Sequence, residues 1–583
     1  MPDTAARPVL DRPWRRPGAA RYALGRARAF LRPPVTVEDP PSGAVISDRD
    51  VEVVMRDGVV LRVNVYRPPG EGRFPVLMSA HPYGKDKLPR RRGRRSIVSL
   101  QYRLMNQSAP ISHSTLTSWE APDPAWWVGQ GYVVVNADMR GAGTSDGVGS
   151  LLSDLEARDV YDLIEWAAAQ PWSSGGVGLF GVSYLAMSQY KAAALRPPSL
   201  KAICPWEGMT DAYRDLMCPG GIYESGFATI WTTMTSRLAR LSTALGKERK
   251  ARPLRDDWWE SLCAELPRIE TPMLVCASFS DNNLHSRGSF RAFEQVGSTE
   301  RFAYTHRDGK WATFYGDEAR QAQLVFFDRY LRGAEIAPPP RLRLQVREAR
   351  ELTAALRDEQ EWPLARTRWR SLYLGPDGEL GDAAPTQAGR VSFDVRRRAA
   401  AFTYTVQHDL ELTGPMAARL WISVEDGDDV NLFVGVEKWR GDRWVPFEGS
   451  YGYGRDRVST GWQKASLREL DQQRSTPAEP VHTFGNYQPL TAGDVVAVDV
   501  ALGPSATLFR AGESLRLLVA GRWLAPGNPL TGQFPARYRR ASSTRCSVHF
   551  GREHPSRLLA PEIPALEIAT PDRAPSGRSV SPI

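Results

Sequence analysis

The sequence predicts an α/β domain followed by an all-β domain, and three observations carry this prediction. In the first 340 residues, short apolar segments alternate with longer amphipathic ones. Beyond the three prolines at 338–340, short runs of alternating polarity replace that pattern. The chain of 583 residues is also longer than one hydrophobic core supports, so at least two domains are expected.

The first predicted element is a β-hairpin. Apolar and polar side chains alternate from Leu61 to Tyr66, which is the two-residue repeat of a strand. Asp57-Gly58, just before this run, is a sequence that favours a tight turn between two strands.

Continuous apolar runs then follow, which is typical of parallel strands covered on both faces. These runs lie near residues 75–80, 132–139, 177–183, 200–205, 272–279 and 301–306. Between two of them, Val160, Leu163, Ile164 and Ala167 have the spacing of the apolar stripe of an amphipathic helix. The order strand, helix, strand predicts an α/β fold.

Four regions are predicted along the chain. Residues 1–45 form a basic N-terminal segment, and residues 46–211 and 269–340 form the α/β domain. Residues 212–268 have no strand pattern and several tryptophans, so they are predicted to form a helical cap inserted into that domain. Residues 341–575, with runs such as ARLWISVE and VNLFVGVE, are predicted to form a β-sandwich.

Composition excludes several classes of protein. The net charge is +9, but residues 1–34 contain eight Arg and two Asp, and we expect this segment to be solvated or loosely docked. The apolar runs are too short to span a membrane and no segment resembles a signal peptide, so a cytoplasmic protein that binds neither membrane nor nucleic acid is expected. Five scattered cysteines suggest no disulfide framework and no metal site, and no cofactor is expected.

Ser183 is the candidate nucleophile. It lies in Gly181-Val182-Ser183-Tyr184-Leu185-Ala186, where an apolar strand runs into a helix-compatible segment. Small residues near such a serine let the strand and the helix approach closely and lift the hydroxyl above the sheet edge, as in the nucleophile elbow of α/β-hydrolases. The alternative is an ordinary glycine-containing turn, because residue 185 is Leu and the small residue comes only at Ala186.

Asp281 and His306 are the candidate partners of Ser183. A serine needs a base to accept its proton and a carboxylate to orient that base. Both residues follow Ser183 at the ends of successive predicted strands, in the order expected for this fold. His285 is set aside because it follows the acid too closely. The remaining histidines considered are interpreted as structural, namely His81, His408, His482, His549 and His554.

Two groups are candidates for holding an oxyanion. The backbone N–H of Tyr184 directly follows the nucleophile, and the Tyr83 hydroxyl lies in a loop after an earlier strand. The alternative for Tyr83 is a partly buried aromatic residue with no role.

Charged residues near the predicted pocket suggest two further hypotheses. Glu207, Asp211 and Asp215 are spaced by four and would share one helical face, where they could bind a substrate ammonium group or simply be solvated. Lys85, Lys87 and Arg90–Arg95 could steer anionic substrates, although a solvated basic loop is the preferred interpretation.

The motifs together resemble the family of cocaine esterases, X-prolyl dipeptidyl peptidases and α-amino-acid ester hydrolases. The resemblance covers roughly residues 48–570 and includes HPYGK, GYVVVNADMRGAGTSDG, GLFGVSYLA, DNNLHSRGSF and FFDRYLRG. It implies an α/β-hydrolase with an inserted helical cap and a C-terminal jelly roll of the galactose-binding-like type. By position it implies Ser183, Asp281 and His306 as the triad, with Tyr83 and the Tyr184 amide as oxyanion donors.

This sequence departs from the family pattern at two places. Ala186 stands where glycine is common, and Phe279-Ser280 precede Asp281 where aromatic residues are common. With Asn282-Asn283 after the acid, a pocket more polar than in the esterase members of the family is expected. We also expect the β-domain to cover part of the pocket and buttress the cap.

The predicted function is a metal-independent serine hydrolase of small carboxylic esters or amides, acting through an acyl-enzyme and most simply a carboxylesterase. An X-Pro dipeptidyl-peptidase, an α-amino-acid ester hydrolase and an acyltransferase are the alternatives within the fold. Outside enzymes, the alternative is a ligand-binding protein that acts through its jelly roll. The sequence does not indicate an oligomeric state.

Overall fold

The computed structural model describes residues 8–11, 19–93, 95–104, 109–450, 455–525 and 534–564. The strands of the first 340 residues are β1 (Val9–Asp11), β2 (Val35–Glu38), β3 (Ile46–Val54), β4 (Val60–Arg67), β5 (Phe74–His81), β6 (Arg90–Arg92), β7 (Arg95–Ile97), β8 (Ile111–Ser114), β9 (Val133–Asp138), β10 (Ser173–Val182), β11 (Leu200–Trp206), β12 (Met273–Ser278) and β13 (Arg301–His306). The helices are α1 (Ala19–Leu31), α2 (Leu100–Leu104), α3 (Pro124–Gly129), α4 (Asp154–Ala168), α5 (Tyr184–Ala194), α6 (Phe227–Leu238), α7 (Leu245–Ala251), α8 (Asp257–Ser261), α9 (Ser286–Gln295), α10 (Lys310–Phe314) and α11 (Asp317–Arg332).

The central sheet of the first half has the order β3-β4-β9-β5-β10-β11-β12-β13. Strands β9 to β13 in this order run parallel, and β4 pairs antiparallel with both β3 and β9. The predicted hairpin and the six predicted apolar strands are all present. Because parallel strands end at one edge, the segments that follow β10, β11, β12 and β13 meet there.

Helices cover both faces of this sheet, as the buried character of its strands requires. α4 and α5 lie against β10, α9 lies against β12, and α11 lies against β10 and β11. The stripe predicted from Val160 to Ala167 is buried on α4. This part of the protein is therefore the predicted α/β-hydrolase fold.

The chain between β11 and β12 is helical. It contains α6, α7 and α8 together with short helical turns at Tyr213–Met217, Pro219–Gly221 and Leu266–Arg268. The Glu224 carboxylate accepts backbone N–H groups from Gly226, Ala228 and Arg537, which joins this segment to the C-terminal domain. The limits of a cap at 212–268 stay a prediction.

The remaining chain is rich in β-strands. Its strands are β14 (Leu342–Ala349), β15 (Leu352–Glu359), β16 (Arg368–Leu374), β17 (Leu380–Gly381), β18 (Gly389–Asp394), β19 (Arg398–Thr405), β20 (Leu410–Val424), β21 (Asn431–Arg440), β22 (Arg443–Val445), β23 (Ser459–Lys464), β24 (Val496–Phe509), β25 (Ser514–Ala520), β26 (Arg545–Phe550) and β27 (Arg557–Ile563). Antiparallel pairing dominates, and inward apolar side chains such as Leu420, Val434 and Leu517 form a separate core. This agrees with the predicted all-β domain.

The N-terminal segment is more ordered than a tail. β1 pairs antiparallel with β19, with Val9 opposite Ala400, and α1 follows in residues 19–31. Residues 1–7 and 12–18 of the basic segment lie outside the described residues. Within the described ranges, no helix is both long and apolar enough to cross a membrane.

Candidate active site

Ser183 lies at the sharp turn between β10 and α5. Its backbone has φ 59° and ψ −114°, an unusual conformation for a residue with a side chain, as expected for a nucleophile elbow. The Ser183 N–H donates to the Trp206 carbonyl at 3.0 Å, and the Val182 N–H donates to the Glu120 carbonyl at 3.0 Å. These bonds fix the turn, so the Ser183 side chain has a defined position.

The small residue at 186 has a structural reason. A Cβ added to Gly208 would lie 2.8 Å from the Ala186 Cβ, so the chain after β11 passes very close to α5. A Cβ added to Gly181 would lie 2.5 Å from the Leu185 Cβ. The two glycines and Ala186 together allow the close approach of strand and helix that the sequence pattern predicts, even though residue 185 is Leu.

His285 is the imidazole beside Ser183. Its Nε2 lies 3.2 Å from Ser183 Oγ, and its Nδ1 lies 2.6 Å from Asp281 Oδ2. The turn after β12 makes this possible, because the backbone N–H groups of Leu284, His285 and Ser286 all point to the Asp281 carbonyl. In such a turn, side chains four residues apart lie on the same side.

His306, the predicted base, is bonded elsewhere, which corrects the expectation from strand order. Its Nε2 lies 3.0 Å from Glu207 Oε1, and its Nδ1 accepts the backbone N–H of Asp308 at 3.1 Å. With Nδ1 accepting, Nε2 carries the proton and donates it to Glu207. Both ring nitrogens are therefore engaged away from Ser183. His285 was set aside because it follows Asp281 closely in sequence, and this too is corrected, since its ring contacts both Ser183 and Asp281.

Lys310 joins the two histidine centres. Its Nζ lies 2.6 Å from Asp281 Oδ2 and 3.5 Å from Glu207 Oε2. The three side chains are at most 1% exposed. Burial alone would raise the pKa of the Asp281 carboxyl, but the Lys310 ammonium and His285 outweigh it and the pKa falls. Burial also opposes the charge on Lys310, yet the two carboxylates hold its pKa above the usual value.

The same atoms bear on metal binding. Donor atoms of Glu207, Asp281 and His285 lie within 4.8 Å of one another, as do those of Glu207, Cys276 and His306. Since the Lys310 ammonium already contacts both Glu207 and Asp281, we interpret the cluster as an ion-pair network and assign no metal to it.

The predicted ammonium-binding cluster does not line the cavity beside Ser183. Glu207 is fully buried against His306 and Lys310, and Asp211 forms ion pairs with Arg214 and Arg255 at 3.2 Å each. Residues 207–215 also do not form one continuous helix, since Glu207 has a φ of 51° and a helical turn begins only at Tyr213. Glu207 and Asp211 are therefore not placed to bind substrate, contrary to the hypothesis.

A large cavity opens in front of Ser183 and His285. Its volume is about 850 Å³, and α6 forms much of its wall. Apolar side chains dominate the lining, including Trp119, Met187, Met209, Phe227, Ile230, Trp231, Met234, Leu238, Leu284 and Phe534. Asn282 and Asn283 do not line it, and the Asn283 N–H instead donates to Ser450 Oγ of the C-terminal domain. The two asparagines on which the expected polarity rested therefore do not contribute to this cavity.

The C-terminal domain contributes to this cavity. Phe534 and Pro535, which precede β26, lie at its wall, and Phe534 contacts Phe227 of α6 with ring centroids 4.5 Å apart. This matches the expectation that the β-domain covers part of the pocket and supports the helical segment.

The two predicted oxyanion donors face the same cavity. Tyr184 is the first residue of α5, where a backbone N–H has no partner within the helix. The Tyr83 hydroxyl oxygen accepts the Trp231 indole N–H at 3.1 Å, which fixes the orientation of the phenol. The Tyr184 hydroxyl donates to Glu156 at 2.7 Å, so the predicted role falls to the Tyr184 backbone N–H, which here donates to the Glu120 carboxyl.

Glu120 is a pocket residue that the sequence did not indicate. It lies in the cavity wall beside Ser183, it is 2% exposed, and its φ is 67°. Burial raises the pKa of its carboxyl to about 8, against smaller opposing effects of Lys310 and the Tyr184 amide. At pH 7 this carboxyl is mostly neutral, so the cavity presents an uncharged wall at the nucleophile.

The basic loop splits into two environments. Lys85 is fully buried and its Nζ forms ion pairs with Asp50 and Asp86 at 2.8 and 2.7 Å, so it does not belong to a surface patch. Lys87 lines the cavity, and Arg90–Arg92 are exposed on the β6–β7 hairpin. Arg94 lies outside the described residues.

Comparison with known proteins gives the same assignment for both halves of the chain. Residues 57–311 match the family model of X-Pro dipeptidyl-peptidase (S15 family), and residues 334–559 match that of the X-Pro dipeptidyl-peptidase C-terminal non-catalytic domain.

Individual relatives agree. A crystal structure of a CocE/NonD family hydrolase from Staphylococcus aureus is 36% identical, with a TM-score of 0.84 over 89% of this chain and 94% of that one. The cocaine esterase of Rhodococcus is 29% identical over 61% of this chain and 66% of its own length. An α-amino acid ester hydrolase, 18% identical, shares the fold with a TM-score of 0.69 over 90% of this chain and 98% of that one.

Proposed function

Because this chain belongs to the CocE/NonD family of serine hydrolases, we propose that it is a carboxylesterase for uncharged esters with large apolar groups. In this proposal Ser183 is the nucleophile, His285 the general base and Asp281 the acid that orients it. The observation that carries the proposal is the hydrogen-bonded order Ser183, His285, Asp281 at the wall of the apolar cavity. The ligand-binding alternative without catalysis is set aside, since the family is one of hydrolases.

The reaction follows from the donors and acceptors. His285 Nε2 takes the Ser183 proton as Oγ attacks the ester carbonyl, while Nδ1–H donates to Asp281. We propose that the Tyr184 N–H and the Tyr83 hydroxyl donate to the oxyanion. His285 then protonates the leaving alkoxide, and water hydrolyses the acyl-enzyme by the same steps in reverse order.

The cavity supports neutral, apolar substrates. Its volume accommodates an acyl or alcohol group of many carbon atoms, and burying apolar surface contributes about 25 cal/mol per Å². The cationic lining residues, Lys87 and Arg237, are both exposed. The acidic lining residue, Glu120, is mostly neutral at pH 7. A substrate ammonium group would meet only a carboxyl whose ionisation is opposed by burial, which weighs against an X-Pro dipeptidyl-peptidase or an α-amino ester hydrolase.

A substrate series tests this proposal. For p-nitrophenyl esters from acetate to octanoate, kcat/KM should rise by up to about fourfold per added methylene, the equivalent of about 0.8 kcal/mol. Phenylacetate esters should exceed the matched α-aminophenylacetate esters by at least about tenfold at pH 7, since the ammonium must be desolvated. Ile230→Gln, which makes one cavity wall polar, should flatten the chain-length dependence. A preference for the α-amino ester or for X-Pro amides would reject the esterase assignment.

A further inference from the structure

A buried ammonium group separates the two carboxylates behind His285. Lys310 Nζ contacts Asp281 Oδ2 at 2.6 Å and lies 3.5 Å from Glu207 Oε2, with Lys310 and both acids withdrawn from solvent. It also lies 2.8 Å from His285 Nδ1. A charge-relay acid in this position ordinarily faces the imidazole as a single uncompensated carboxylate. Here the Lys310 ammonium forms an ion pair with that carboxylate.

Taken alone, Lys310 opposes catalysis by His285. The imidazole becomes positively charged when it accepts the Ser183 proton, and a nearby ammonium disfavours that form. Burial first, and Lys310 second, lower the pKa of His285. With only Asp281 and Lys310 beside it, His285 would therefore be a weak base.

Glu207 supplies the missing negative charge. Its carboxylate oxygen lies within 4.8 Å of the facing atoms of Asp281 and His285, and its proximity raises the pKa of His285. With Glu207 included, the cluster carries one net negative charge while His285 is neutral and becomes neutral when His285 is protonated. His306 holds Glu207 in place by donating from Nε2 at 3.0 Å.

We propose that Lys310 and Glu207 are positioning residues of the active site, so that two carboxylates bridged by one ammonium stabilise the protonated form of His285. In this role Lys310 fixes Asp281 and Glu207 at a common centre, and His306 orients Glu207 rather than activating Ser183. The inference rests on the proposed function in one respect, namely that His285 is the base.

Several titratable groups surround this centre. Those that face His285 and Lys310 include Asp281, Glu207, His306, Glu120 and the Cys276 thiol, whose pKa burial raises well above its usual value. Glu120 has a pKa raised by burial to about 8, so it stays neutral in the acidic range where His285 titrates. Changes in the acidic limb of activity therefore report the charges of Lys310, Glu207 and Asp281.

The test compares the pH dependence of kcat/KM for a p-nitrophenyl ester, whose acidic limb follows the free-enzyme pKa of the base. Lys310→Met removes a cation, favours the imidazolium and should move the limb to higher pH by about 1 to 2 units. Glu207→Gln removes an anion and should move it to lower pH by a similar amount. The double variant Lys310→Met/Glu207→Gln, which retains Asp281 alone, should lie between the two single variants.

Two controls separate charge from structure. Lys310→Arg keeps the positive charge, so its limb should stay near the wild-type position even if kcat falls. Lys201→Met removes an exposed lysine on β11 and should leave the limb unchanged, because solvent screens that charge. If Lys310→Met does not fold, the double variant still tests the proposal, because its limb must lie above that of Glu207→Gln.

Shifts in the same direction for both single variants, or an unmoved limb in either, would overturn the role of Lys310 and Glu207. This outcome differs from failure of the base assignment. If His285→Gln is inactive while the limb does not respond to Lys310 or Glu207, only the charge-sharing proposal fails. If His285→Gln stays active and His306→Gln does not, the base assignment itself fails.

Discussion

The two histidines that follow the nucleophile in the active-site region, His285 and His306, differ in what surrounds them. His285 meets Ser183 and lines an apolar cavity of about 850 Å³, with Asp281 behind it. His306 is bonded to Glu207 and to a backbone amide, and it lines a separate cavity of about 470 Å³ with polar neighbours such as Asp308, Thr313 and Arg343. Both residues end or follow strands at one sheet edge, so position in the fold alone does not identify the base.

The two histidines differ in the hydrogen-bond partners of their ring nitrogens. The His306 nitrogens are both committed, one by the Asp308 N–H and one by Glu207. His285 presents Nε2 to the serine because its Nδ1 is committed to Asp281. A hydrogen-bond inventory of each ring therefore decides the assignment better than strand order does.

The largest expected effect concerns Ser183, the nucleophile against which the two histidines are compared. Ser183→Ala should lower kcat by about 10⁴-fold or more in a folded protein, because removing a triad member removes the covalent route. Ser188→Ala, which removes a buried hydroxyl one turn further along α5, is the matched control and should have little effect. Fluorophosphonate labelling followed by peptide mapping checks the site, and substantial turnover by Ser183→Ala would break the account of both histidines.

A smaller effect is expected on the wall of the cavity that His285 faces. Tyr83→Phe should lower kcat by about 10² to 10³ with KM little changed, the size expected for one lost oxyanion donor. Tyr190→Phe is the control, since it removes a buried hydroxyl that does not line this cavity. A change confined to KM would make Tyr83 a binding residue. No change in either constant would mean that Tyr83 does not donate to the oxyanion together with the Tyr184 amide.

The sequence predicted the sheet well because its strands are continuous apolar runs bounded by turns. The hairpin at Asp57-Gly58, the stripe on α4 and the elbow at Ser183 each depend on neighbouring residues. Docking of residues 9–11 on β19 was missed, since pairing with a strand nearly 400 residues away leaves no local signal in an Arg- and Pro-rich segment.

The site was predicted only in part for a similar reason. Asp281 and His285 are four residues apart in DNNLH, and that spacing was the available signal for their contact, but the order of strands was given more weight. Lys310 lies four residues beyond His306 in a polar segment that resembles an exposed loop, and its burial between two acids depends on β11 and β12 meeting at the same edge. Glu207 was assigned to substrate binding from its spacing with Asp211 and Asp215, and that spacing carries no signal of its contact with His306.

The most direct test of the central claim is the acylation rate of two matched variants, His285→Gln and His306→Gln, measured in single turnovers with a p-nitrophenyl ester. Circular dichroism first establishes that both are folded. The account predicts a loss of about 10⁴-fold for His285→Gln, comparable with Ser183→Ala, and a loss of only about tenfold for His306→Gln, which acts through Glu207. A loss of about 10⁴-fold in His306→Gln with near-normal acylation in His285→Gln would contradict it.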